Sequence, residues 1–164
     1  MTPVDSQSPA RAPEIFVDAD ACPVKEEAER VAQRHGLKMH LVSNGGIRPS
    51  NNPLVALVIV PAGADAADDW IAEHIREGDI AVTSDIPLAS RCLKAGAQVL
   101  SPKGRPFTPD SIGMALGMRD LSRHLREVTG GQTFNAGFTR EDRSRFLGAL
   151  ENAVQAAKRR LNPR

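Results

Sequence analysis

Two aspartates one residue apart, Asp18 and Asp20, close the apolar run Ile15-Phe16-Val17 and stand just before Cys22-Pro23. Carboxylates held that close repel each other unless a metal ion or a shared proton relieves them. Further along, Asp65, Asp68 and Asp69 follow an apolar run ending at Val60, and Asp85 follows the run Ile80-Ala81-Val82-Thr83-Ser84. Each acid group stands where a strand hands over to a helix. In a parallel sheet such handovers share one rim, and ligands bind there. Oxygen donors without cysteine suit Mg²⁺ or Mn²⁺. Such ions activate water and clamp phosphate for in-line displacement. The candidate catalytic residues are Asp18, Asp68 and Asp85, and the candidate metal ligands add Asp20, Asp65 and Asp69. Which of Asp65, Asp68 and Asp69 is the ligand stays open. Asp68 shares the helical stripe of Ile71 and Ile75, an unusual place for a carboxylate, whereas Asp69 lies about 100° round. Asp65 and Asp85 are also ordinary helix N-cap residues.

A phosphate substrate beside acids needs cations. Residues 1–100 carry 9 of the 21 basic and 14 of the 20 acidic side chains, and residues 101–164 carry the other 12 and 6. That asymmetry suits an anionic substrate held beside a carboxylate–metal site. The candidate contacts are Asn44 and Arg48 in a polar loop, Lys103 and Arg105 in the Pro/Gly-rich stretch 101–109, and Arg119 and Arg123 on a helical stripe with Arg126. RNA or DNA is the implied partner. Aromatic residues make up only 4% and Tyr is absent, which argues against single-strand binding by base stacking. The four histidines lack ligand spacing and read as structural, and Trp70 reads as packing.

The elements that must position these residues follow from periodicity. Strands are expected at 15–18, 38–43, 54–60, 79–84 and 97–100, and helices from Pro23 to Gly36, at 65–77 and at 87–95. Leu54–Val60 is a continuous apolar run, the mark of a strand covered on both faces. The alternation argues a three-layer α/β fold with a mainly parallel central sheet. Two C-terminal helices are expected, at 109–128 behind the N-cap Thr108, and from Thr139 with Asp142 in capping-box position. The apolar stripe of the last helix reads as a docking face rather than a dimer seam. Residues 1–13, rich in Pro, Ser and Ala, are expected to be disordered. Residues 14–152 form the domain, and 153–164 form the basic end of the last helix and its tail. Cys22 and Cys92 sit in no CxxC pair and are expected to be reduced structural thiols in a cytoplasmic protein. No apolar run approaches a membrane span.

Four stretches together resemble one bacterial family. Phe16-Val17-Asp18-Ala19-Asp20-Ala21-Cys22-Pro23, Gly63-Ala64-Asp65-Ala66-Ala67-Asp68-Asp69-Trp70-Ile71, Thr83-Ser84-Asp85-Ile86-Pro87-Leu88-Ala89 and Gly104-Arg105-Pro106-Phe107-Thr108 look like the YaiI/YqxD family. That family is of unknown function and is similar to PIN and NYN nuclease-like domains. The resemblance spans about residues 14–152 and implies a PIN-like fold. In PIN-like nucleases an Asp ends the first strand, an acid opens a middle helix, and a Thr/Ser-x-Asp ends a later strand. Asp18 matches the first and Asp85 the last. The expectation is a Mg²⁺- or Mn²⁺-dependent hydrolase of RNA or DNA phosphodiesters. The alternative is a non-catalytic PIN-like module that binds RNA or protein. A third reading makes Asp18-x-Asp20 a haloacid-dehalogenase-type phosphatase motif, with Asp18 as nucleophile and Asp20 as general acid. It is disfavoured because the pair Asp68-Asp69 precedes every plausible lysine, Lys94 or Lys103.

Overall fold

A computed structural model of the chain describes residues 11–20, 22–63, 65–113 and 138–162. The strands are β1 (Ile15–Asp18), β2 (Met39–Ser43), β3 (Val55–Ile59), β4 (Ile80–Val82) and β5 (Gln98–Leu100). The helices are α1 (Lys25–His35), α2 (Ala66–His74), α3 (Ile86–Lys94) and α4 (Arg140–Leu161). All strands pair in parallel in one five-stranded sheet of order β3-β2-β1-β4-β5. The α/β fold read from the alternation is therefore present. One of the two expected C-terminal helices is α4. The other is helical over 109–113, where Thr108 Oγ1 accepts from Ser111 N at 3.1 Å, and the rest of its expected span lies outside the described residues.

Strand order decides the layers. The chain leaves β1 through α1 to β2 on one side, and later returns from β3 through α2 to β4 on the other. Right-handed crossovers running in opposite directions place their helices on opposite faces. The two buried clusters record this. Ile15 and Val17 of β1 pack with Ala28 and Val31 of α1 and with Phe146, Leu150 and Val154 of α4. Phe16 packs instead with Ile71 of α2, Leu88 and Cys92 of α3, and Ile112. Strand side chains alternate between faces, so β1 feeds both cores. The apolar stripe of α4 is a docking face, laid along α1 and the β4–β5 side of the sheet.

The helix ends follow their residues. Gly36 ends α1 at φ 66°, where its N–H reaches the carbonyls of Ala32 and Gln33. Thr139 and Asp142 form the reciprocal capping box that opens α4. Cys22 and Cys92 are buried free thiols, and burial pushes the Cys92 thiol up to about 12, so it stays protonated.

One expectation fails. The apolar run at Leu54–Val60 is not covered on both faces. It forms β3 at the sheet edge, half-buried along its length, with Ile59 55% exposed. A continuous apolar run marks the absence of polar residues, and nothing in it reports how many neighbouring strands it has. The fully buried strands are β2, which carries His40 and Ser43 inside, and β4. His40 is accommodated by a 2.8 Å contact of Nε2 with Glu14 and by stacking on Phe16 at 4.4 Å.

Candidate functional site

The C-terminal ends of β1 and β4 lie side by side at the point where the strand order reverses, the place where open α/β sheets bind ligands. Asp18 ends β1 on the same face as Phe16, the face that α2 and α3 cover. The next residue after β4, Thr83, is 2% exposed, and its Oγ1 donates to Asp18 Oδ2 at 2.9 Å. The same oxygen accepts from Asp85 N at 3.0 Å. One hydroxyl thus joins the two strand ends and orients both aspartates. Asp85 caps α3 and accepts from Leu88 N at 2.8 Å.

Asp68 is the acid of the middle group that joins them. It lies half-buried in the first turn of α2, between buried Ala67 and Ile71. Burial pushes its carboxyl up to about 6, and the negative charges of Asp85, Asp18 and Asp65 add to that. Asp18 is raised too, chiefly by burial and then by Asp85 and Asp20, against the lowering effect of the Thr83 hydrogen bond. Raised proton affinity in neighbouring carboxylates is the signature of a place that welcomes positive charge. The helix N-termini of α2 and α3 open onto the same rim, and such ends favour phosphate.

The other candidates have partners or settings of their own. Asp69 faces outward, where Arg91 Nη1 meets its carboxylate at 2.8 Å across exposed surface. Asp65 is exposed at the start of α2 and makes no capping hydrogen bond. Asp20 turns toward β2, where Ser43 Oγ donates to Oδ1 at 2.8 Å and Asn44 N to Oδ2 at 3.0 Å. Two accepted hydrogen bonds make it an anchor for the turn after β2, and a poor match for the proton donor that the phosphatase reading requires.

Among the described residues, no group of three or more His, Cys, Asp or Glu side chains is placed to share one ion. The donor set nevertheless suits Mg²⁺ or Mn²⁺. Such an ion is commonly held by one or two carboxylates, with water and substrate phosphate completing its shell. Asp18 and Asp68 are the pair that could hold it.

The basic candidates lie on two loops that follow strand ends. Lys103 and Arg105 are exposed on a tight loop after β5, closed by Gly104 N to Ser101 O at 2.9 Å. Arg48 lies beyond β2, exposed in the loop that begins at Asn44. Arg119 and Arg123 lie outside the described residues. Thr83 stands in the sequence only as part of a motif, and its signal is a polar residue at the end of an otherwise apolar strand.

The fold and rim define a three-layer α/β protein with an acidic switch-point site. A profile of the uncharacterised YaiI/YqxD family matches residues 16–156. The chain is 61% identical over 150 residues to a UPF0178 protein of Parvibaculum lavamentivorans, covering 92% of this chain and 99% of that one. It is 55% identical over 152 residues to a UPF0178 protein of Mesorhizobium japonicum, covering 93% and 98%. A UPF0178 protein of Rhodospirillum rubrum is 61% identical over 150 residues, covering 89% and 98%. The chain belongs to the YaiI/YqxD family. No solved structure matches it. No described helix is long and apolar enough to cross a membrane.

Proposed function

We propose that this is a PIN-like, Mg²⁺- or Mn²⁺-dependent nuclease that hydrolyses phosphodiester bonds in RNA or DNA. The observation that supports the reading is the placing of partly buried Asp18 and Asp85 at adjoining strand ends tied by Thr83, with Asp68 raised to about 6 by burial and by the charges of Asp85 and Asp18. Asp18 and Asp68 would hold the ion. When bound, it supplies Lewis acidity that polarises water and neutralises phosphoryl charge. Thr83 fixes the direction of Asp18 through its 2.9 Å hydrogen bond. Asp85 adds negative charge that draws the cation in, while its oxygen holds the start of α3. Lys103, Arg105 and Arg48 bind phosphates on either side, a contribution that weakens as salt rises.

A second reading is favoured by a specific observation. Asp85 and Asp20 both have structural hydrogen bonds, and no three described carboxylates converge on one point. A PIN-like module that binds RNA or protein without cutting it would look the same.

The decisive experiment pairs calorimetric Mn²⁺ titration with cleavage of mixed RNA and DNA oligonucleotides. Wild type binds Mn²⁺ and cleaves. Asp18→Asn loses cleavage by at least about 100-fold, with an unchanged circular dichroism spectrum. Absence of both Mn²⁺ binding and cleavage in the wild type rejects the nuclease in favour of the binding module.

A further inference from the structure

A cavity of about 390 Å³ opens between the first turns of α1 and the loop that follows β2. Its size falls within the range of small-molecule sites, ~300–1,000 Å³. The cavity lies on the α1 side of the sheet, and the carboxylate of Asp20 holds the first residues of its loop by the Ser43 and Asn44 hydrogen bonds. Gly45 and Gly46 then turn at φ 122° and 79°, conformations that side chains rarely adopt. The turn carries Ile47 and Arg48 over the opening, and a 2.9 Å hydrogen bond from Ser50 Oγ to Glu29 ties the far end of the loop to α1.

Three kinds of surface meet in this cavity. Leu41 and Ile47 give it an apolar floor. Lys25 from α1 and Arg48 from the loop bring two cations to it, and Glu26 and Glu29 bring two acceptors. A ligand that fits all three has a flat apolar body, an anionic end and an edge of N–H donors. We propose that the cavity is a nucleotide subsite, with the base over Ile47, its amino edge at Glu26 and its phosphate between Lys25 and Arg48. The inference goes beyond the nuclease reading, because the cavity opens on the opposite face of the sheet from Asp18. It favours the amino-bearing bases adenine, guanine and cytosine over uracil. The donor edge of uracil is a single N–H between two carbonyls, and those carbonyls face the carboxylates unfavourably.

The test uses the full-length protein in EDTA, so that binding is read without the metal. AMP, GMP, CMP, UMP and inorganic phosphate are titrated separately, with the Ile47 and Leu41 methyl resonances as reporters. The expected result is saturable shifts of both methyls with AMP, GMP and CMP, weaker binding of UMP, and phosphate weaker than any amino-bearing nucleotide. Lys25→Ala and Arg48→Ala each weaken AMP binding about tenfold, while Asp68→Asn retains it. Unmoved methyls, phosphate binding as well as AMP does, or AMP affinity unchanged in both cation variants would overturn the subsite. Oligonucleotide cleavage in Mn²⁺ separates the two ideas. Cleavage without methyl shifts removes the subsite and keeps the nuclease; methyl shifts without cleavage remove the nuclease and keep a nucleotide-binding cavity.

Discussion

Asp68 is a carboxylate placed on the inner stripe of a helix, beside two other acids, and its titration carries that cost. Its carboxyl titrates at about 6 in the folded protein, against about 3.9 in an unfolded chain. Folding therefore takes up a proton between those two values. The resulting stabilisation is fully present below about 3.9 and is lost as pH rises through about 6. Asp68→Asn removes the repulsion without removing the side chain. Much of the group meets solvent, so screening reduces the effect to about 1 kcal/mol. Urea unfolding should show the variant more stable by that amount at pH 7.5 and no different near pH 4. Equal stabilities at both pH values would mean that neither burial nor the acidic neighbours raise the Asp68 carboxyl. Asp20, an aspartate too, has a structural place instead. Its spacing from Asp18 suggested a shared ligand pair, yet hydrogen bonding to Ser43 and Asn44 turns it into a loop anchor.

Among the elements, the tight loop after β5 is positioned by contact with a helix far along the chain. A Cβ on Gly104 would lie 2.7 Å from the backbone carbon of Arg145 and from the nitrogen of Phe146, and its φ is +84°. Neither atom can step aside, because both belong to α4. Gly104→Ala should cost at least about 2 kcal/mol, from left-handed backbone strain and overpacking together. The check is a fall in the urea midpoint, and a ΔΔG below about 0.5 kcal/mol would show that the loop does not rest on α4. The consequence for the site is that Lys103 and Arg105 hold their place by docking. The edge position of β3 is likewise a matter between elements. Its residues are as apolar as a central strand's, and only the absence of a second neighbour leaves Ile59 in solvent.

At the scale of the whole molecule, the chain closes at the end of the sheet opposite the acidic rim. Asp79, fully buried, accepts from Arg11 Nη1 at 2.8 Å, Glu14 N at 3.0 Å and Arg76 N at 2.9 Å. One carboxylate therefore ties the segment entering β1 to the turn before β4. Asp79→Ala should cost about 3–5 kcal/mol, the range for removing one member of a buried charged pair. It does so far from the acids, so Mn²⁺ affinity measured by titration below the melting point should stay unchanged. A variant with altered Mn²⁺ affinity but normal stability would contradict this division of the molecule into a closing end and a binding end.

Element order, most helix ends and the capping box of α4 are legible in the sequence alone. These are local matters, set by periodicity, glycine conformations and capping chemistry within a few residues. The sequence also marks the acids that follow strand ends, because polar residues after apolar runs stand out. Only the tertiary structure decided which acids meet. The reversal of strand order at β1 and β4 brings Asp68 and Asp85 to Asp18 from 50 or more residues away and sends Asp20 toward β2. The reversal also leaves β3 at the sheet edge, while the β1–α1–β2 crossover sets Lys25 across a cavity from Arg48. Those relations depend on which strands neighbour each other and which face each crossover helix covers. No stretch of local sequence encodes that, because the contacts that settle it are made between segments distant in the chain.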